Sequence, residues 1–182
     1  MEKYIIDGGN ELHGDVEISG MKNAALPILI ASILTKDTCI VENLPRISDV
    51  RKSLDILEAM GAAVERDDET SSVKINTENV KGGISPYELV SKMRGSTYLI
   101  GAELARFGKA KVGWPGGCDF GVRPIDQHIK GFEALGAKVT VDTDAGYIYA
   151  EAPNGLHGNS VYFDVVSVGA TVNVMIAAVL AK

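Results

Sequence analysis

The feature that most constrains this chain is a stretch of sequence that occurs twice. Leu57-Glu58-Ala59-Met60-Gly61-Ala62-Ala63-Val64 aligns with Phe132-Glu133-Ala134-Leu135-Gly136-Ala137-Lys138-Val139, an offset of 75 residues. The apolar run Ala31-Ser32-Ile33-Leu34-Thr35-Lys36 aligns with Ala177-Ala178-Val179-Leu180-Ala181-Lys182, and Ala102-Glu103-Leu104-Ala105 fits the same slot between them. Recurrence at a fixed period means one supersecondary unit used several times, each burying its apolar face against the next. The unit reads as apolar helix, strand, amphipathic helix, then two strands. The 182 residues hold two such units and the opening helix of a third.

Local signals fill in the unit. An apolar helix is expected over Lys22–Leu34, with Pro27 placed near its first turn, where a missing N–H costs little. Cys39-Ile40-Val41 reads as a strand. Ser48 or Asp49 is expected to cap a helix carrying Val50, Leu54, Leu57 and Met60, ended by Gly61. Residues 62–66 and 72–75 read as a hairpin. Ser85-Pro86-Tyr87-Glu88 looks like a capping box with proline at the first helical position. Pro124 opens a helix with Ile125, Ile129, Phe132 and Leu135 on one face, followed by strands over 139–141 and 147–150. Tyr4-Ile5-Ile6 and Val16-Glu17-Ile18 read as a strand pair around Gly8-Gly9-Asn10. Helices alternating with strands give an α/β fold.

Charge and composition narrow the function. The formal net charge is −6, so nonspecific coating of nucleic acid or of an anionic membrane is not expected. No apolar run reaches a membrane span, and the Met1-Glu2-Lys3-Tyr4 start lacks signal-peptide features. Cys39 and Cys118 suggest no disulfide framework, so a cytoplasmic protein with free thiols is expected. His13, His128 and His157 show no metal-ligand spacing, and no metal site or cofactor is expected.

Three polar segments occupy equivalent points of the repeat, each opening an apolar helix. They are residues 19–23, 93–97 and 167–171. Taken singly, each reads as a solvated cap. Under pseudo-threefold symmetry the helix starts converge, and their unpaired N–H groups would gather around an anion, with Lys22 and Arg94 supplying charge. Glycine is 20 of 182 residues, above its usual share of roughly 7%. Three glycines fall in the loop from Trp114 to Pro124. Cys118, among glycines and close to Arg123 and a helix start, has the surroundings of a reactive thiol. Cys39, inside a strand, reads as filler. His128 is expected at the surface or in a polar contact, and Asp126 as either a helix-dipole charge or a ligand acceptor.

Gly20-Met21-Lys22-Asn23-Ala24-Ala25-Leu26-Pro27, Met93-Arg94-Gly95-Ser96, Pro115-Gly116-Gly117-Cys118 with Arg123-Pro124-Ile125-Asp126, and Ser167-Val168-Gly169-Ala170-Thr171 together resemble the UDP-N-acetylglucosamine 1-carboxyvinyltransferase family of enolpyruvyl transferases. The resemblance runs from Tyr4 to the last residue. It implies an inside-out α/β barrel built from βαβαββ-type units, incomplete in this chain. Residues 1–21 would belong with an absent second domain, and 22–182 would form the first domain. It also implies transfer of the enolpyruvyl group of phosphoenolpyruvate to the 3-hydroxyl of UDP-N-acetylglucosamine, a step of peptidoglycan synthesis. Cys118 would be the proton donor and the residue to which fosfomycin attaches. Lys22 would meet the phosphate and carboxylate of phosphoenolpyruvate, Asn23 would hold the substrates, and Arg94 would pair with phosphate oxygens. Arg123, Pro124, Ile125, Asp126 and Gln127, with Ser167, Val168 and Gly169, would form the uridine-diphosphate site. The family's catalytic aspartate would lie outside this chain, leaving the segment inactive without the C-terminal part.

Two departures stand out. Several relatives carry lysine in the slot of Val165, and Gly95 replaces the more usual alanine after the motif arginine. The alternatives are the shikimate-pathway enolpyruvyl transferase and a noncatalytic UDP-sugar-binding half-domain. The former typically has Lys-Ser where Lys22-Asn23 stands and lacks the Gly-Gly-Cys loop.

Overall fold

The computed structural model describes residues 3–83, 85–116 and 124–182. Helix α1 (Lys22–Ala31) continues as one 3-10 turn, Ser32–Leu34, and leads to β1 (Thr38–Val41). Helix α2 (Ser48–Ala59) follows, then the hairpin β2 (Ala63–Asp67) and β3 (Ser72–Asn76). A short helix α3 (Tyr87–Val90) and a 3-10 turn, Arg94–Thr97, bridge to the second unit. That unit is α4 (Tyr98–Phe107), β4 (Lys109–Gly113), α5 (Asp126–Ala134), β5 (Lys138–Asp142) and β6 (Tyr147–Glu151). Helix α6 (Val168–Ala178) opens the third.

The repeat is reproduced strand for strand. Each unit makes a three-stranded antiparallel sheet with the last strand in the middle, ordered β1-β3-β2 and β4-β6-β5. The hairpin strands begin at 63 and 138, and at 72 and 147, so both keep the offset of 75. Gly61 and Gly136 end the equivalent helices α2 and α5 with positive φ, +104° and +91°, which glycine adopts without a Cβ penalty.

Helices fill the interior and sheets cover it, as the inside-out arrangement requires. Helix α4 packs against both α1 and α6. Leu29, Ile30, Ile33, Leu99 and Ala102 are buried from all of these contacts, while β2 is largely exposed. Each fully buried aliphatic side chain contributes roughly 1.5–3 kcal/mol of transfer free energy. Close approach depends on Gly101. A Cβ there would stand 2.4 Å from Asn173 Oδ1 and 2.5 Å from the Asn173 carbonyl oxygen. Arg106 ties the units together by donating to the carbonyls of Ile33 (2.9 Å) and Thr35 (3.3 Å) at the end of the first buried helix.

Several local expectations need correction. Residues 4–6 and 16–18 form no strands; Tyr4 is 96% exposed. A strand needs a partner for its ladder, and none faces them among the described residues. Pro27 sits in the second turn of α1, where it withholds an N–H from the Asn23 carbonyl. The N-cap of α2 is Ile47, whose side chain has no acceptor to offer; Ser48 and Asp49 lie within the first turn, and Asp49 pairs with Lys22 and Lys52. Proline 86 is itself the N-cap of α3, and α5 begins at Asp126 rather than Pro124.

The supposed capping serine, Ser85, serves a buried carboxylate. Its hydroxyl donates to Glu103 Oε1 (2.6 Å), and the Gly83 N–H donates to Oε2 (2.7 Å). Glu103 is fully buried on α4, and burial raises its pKa from 4.5 to about 7. A carboxyl raised in the folded state favours folding below its unfolded pKa, and that contribution is lost as pH rises through about 7. Thermal melts between pH 4.5 and 8 should show Glu103→Gln flattening the decline that the native protein shows with rising pH; parallel curves would contradict this.

Candidate active site

The three helix starts meet. Lys22 and Asn23 at the start of α1, Arg94 and Thr97 before α4, and Ser167, Val168 and Gly169 at the start of α6 line one cavity of about 800 Å3. Each start arises differently. Backbone N–H groups of Ala24 and Ala25 turn back to the Met21 carbonyl (3.1 and 2.9 Å). Ser96 Oγ donates to the Met93 carbonyl (2.6 Å), fixing the 3-10 turn that carries Arg94. Ser167 caps α6, its Oγ accepting the Ala170 N–H (3.3 Å).

Pro124, Asp126 and Gln127 from the head of α5 line the same cavity. Gln127 is held in place, donating to Asp126 (3.1 Å) and Asp164 (3.3 Å) and accepting the Asp164 N–H (3.0 Å). Hydrogen bonds from Lys130 and Gln127 hold the Asp164 carboxyl below its usual range. Ile125 instead joins the hydrophobic core, 4% exposed. Cys118 and Arg123 lie outside the described residues. Val165 lines the cavity without offering a charge.

Four cations, Lys22, Lys52, Lys92 and Arg94, face two carboxylates, Asp49 and Asp126, among the described lining residues. The cavity therefore runs against the −6 charge of the whole chain and suits an anionic ligand. Lys22 is paired with Asp49, which also lies 3.9 Å from Lys52. Gly95 has a steric side: a Cβ there would meet Leu26 Cδ1 at 3.0 Å, so alanine would need Leu26 to move.

Lys52 and Lys92 are members that residue patterns did not single out, and His128 is one that they left outside the site. Lys52 follows Asp49 by one helical turn, a usable signal. His128, expected at the surface or in a polar contact, is 7% exposed, lines the cavity and meets Asn173 Nδ2 at 3.0 Å, so the polar contact is the one found. The repeat offset pairs it with Ser53, a fully buried polar residue, and that alignment could have revealed its burial. Desolvation, then the nearby Arg94 charge, push its pKa down to about 4, against an opposing pull from Asp126. Among the described residues no group of three His, Cys, Asp or Glu side chains could hold a metal. None of their helices is long and apolar enough to cross a membrane.

The family model described as EPSP synthase (3-phosphoshikimate 1-carboxyvinyltransferase) matches residues 6–182. UDP-N-acetylglucosamine 1-carboxyvinyltransferase 3 of Caldanaerobacter subterraneus subsp. tengcongensis is 48% identical over 182 residues, covering 100% of this chain and 42% of that protein. The UDP-N-acetylglucosamine 1-carboxyvinyltransferase of Clostridium botulinum is 52% identical over 183 residues, with 100% and 43% covered. The enolpyruvyl transferase NikO from Streptomyces tendae superposes with a TM-score of 0.76 at 20% identity, over 96% of this chain and 40% of that one. The EPSP synthase of Acinetobacter baumannii superposes at 0.71 and 16% identity, over 93% and 38%. These two likenesses are of fold. The chain thus spans about 42% of the length of the curated relatives it matches.

Proposed function

The chain belongs to the EPSP synthase family, and from that premise we propose that the full-length protein transfers the enolpyruvyl group of phosphoenolpyruvate to the 3-hydroxyl of UDP-N-acetylglucosamine, releasing phosphate. The observation that carries this reading is the meeting of three helix starts at one cation-rich cavity of about 800 Å3. The names of relatives at 48% and 52% identity favour the sugar nucleotide over a shikimate acceptor.

In this reading Lys22 and Arg94 hold the phosphate and carboxylate of phosphoenolpyruvate, where a guanidinium fork suits a phosphate. Asn23 positions the substrates. Arg123 to Gln127 and Ser167 to Gly169 hold the uridine diphosphate, using helix-start N–H groups. Cys118 donates a proton to the methylene carbon of phosphoenolpyruvate while the sugar hydroxyl bonds to its neighbouring carbon. The tetrahedral product then loses a methyl proton and phosphate, which restores the double bond. Residues 1–21 pair with a second domain, 22–182 form part of the first, and the base for the sugar hydroxyl comes from the remaining length. The product is a peptidoglycan precursor made in the cytoplasm.

Phosphate release by the full-length protein tests this. Release from phosphoenolpyruvate should require UDP-N-acetylglucosamine and should fall by 100-fold or more with Cys118→Ala, within the range of lost acid catalysis of roughly 10²–10⁴. Release supported by shikimate 3-phosphate instead would overturn the substrate assignment, and undiminished release by Cys118→Ala would overturn the role of the thiol.

A further inference from the structure

Asn173 sits on α6, fully buried, with three hydrogen-bonding partners: Thr97 of the 3-10 turn, Gly101 of α4 and His128 of α5. Its Oδ1 accepts the Gly101 N–H (3.2 Å), and its Nδ2 donates to the Thr97 carbonyl (2.8 Å). A backbone N–H only donates and a carbonyl only accepts, so chemistry alone fixes which way the amide faces. The second Nδ2 hydrogen is then aimed at His128 Nδ1, 3.0 Å away. An amide nitrogen cannot accept, so Nδ1 must offer its lone pair. A neutral imidazole with a bare Nδ1 carries its proton on Nε2. That nitrogen lies beside Gly169 in the first turn of α6, 3.5 Å from where a Cβ would stand, and both His128 and Gly169 line the cavity.

We propose that Asn173 is a positioning residue: it holds His128 as the neutral Nε2–H tautomer, so that the site presents an uncharged donor beside the start of α6. Asn173 is not among the residues lining the cavity and acts through His128, which is. The groups that bear on the imidazole charge are Arg94 and Asp126, both cavity residues, and Arg94 disfavours a second positive charge beside it. The donor would serve an acceptor oxygen of the bound sugar nucleotide, and this last point alone rests on the function proposed above.

The tautomer is read on the free full-length protein from two-bond 1H–15N couplings of 15N-labelled histidine. His128→Gln assigns the His128 signal. Wild-type His128 should show a protonated Nε2 and a bare Nδ1, unchanged at pH 6; a protonated Nδ1 overturns the proposal. Asn173→Asp supplies an acceptor instead of a donor, and should move the proton to Nδ1 or make the ring titrate between pH 5 and 8. If it leaves the Nε2–H form intact, Asn173 does not set the tautomer. Even if that variant does not fold, a protonated Nδ1 in the wild-type spectrum overturns the proposal and a bare Nδ1 supports it. In the folded variant, UDP-N-acetylglucosamine should bind at least tenfold more weakly at pH 8, and unchanged affinity would overturn the donor role. A wild-type protein that binds no UDP-N-acetylglucosamine would instead refute the proposed function, while the couplings in free protein still judge Asn173.

Discussion

Lys22→Gln in the full-length protein is expected to leave folding intact and to lower kcat/KM for phosphoenolpyruvate by about 100-fold. Lys22 is half exposed, and its pair with Asp49 is of the surface kind, worth at most about 1 kcal/mol. Lys52 remains near that carboxylate after the change. Stability should therefore move little. Under the proposed function the ammonium meets an anionic substrate, and a charged contact strengthens where the bound substrate displaces water. Losing one such contact costs roughly 2.7–4 kcal/mol of transition-state stabilisation, or 100- to 1,000-fold in rate. Steady-state phosphate release alongside a thermal melt separates the two effects. A fall in rate under fivefold would remove Lys22 from the chemistry.

Gly101→Ala carries the largest expected effect on stability. The added methyl would lie 2.4 Å from Asn173 Oδ1 and 2.5 Å from its carbonyl oxygen, distances that no side-chain rotation on α4 can relieve. Either α4 and α6 separate, or the Gly101 N–H to Asn173 bond breaks inside the core. Overpacking of this kind costs about 1–3 kcal/mol, and a stranded buried polar group adds a similar amount. A loss of about 3 kcal/mol or more in denaturant unfolding is expected. Gly8→Ala, whose Cβ would meet nothing within 4 Å, serves as the control and should change stability by less than about 0.5 kcal/mol. Equal behaviour of the two variants would mean the helices do not approach as described.

The repeat made much of this architecture legible. An alignment within the chain predicts two equivalent units, and both sheets repeat their order at that offset. It also brings the three helix starts into one place, because equivalent elements of a symmetric unit share an environment. Legibility ended where bonds cross between units. The contact of Asn173 with His128 spans 45 residues, and that of Ser85 with Glu103 spans 18, so neither leaves a periodic trace. A serine before Pro-Tyr-Glu looks like a helix cap because the local pattern cannot show that a buried carboxylate has a stronger claim on its hydroxyl. Residues 4–6 and 16–18 have strand composition but no partner strand among the described residues, and composition without a partner makes no ladder. Burial of Ile125 follows from the same face that carries Ile129 and Phe132, so the side chain at this motif position belongs to the core.

The central claim is that three segments far apart in sequence form one anion site. Hydrogen exchange of the full-length protein, read by mass spectrometry with and without UDP-N-acetylglucosamine and phosphoenolpyruvate, addresses it directly. Amides of residues 22–25, 94–98 and 168–171 should all gain protection when both substrates are present, at a common concentration midpoint. Protection confined to one of the three segments, or absent from all of them while phosphate is still released, would contradict the account.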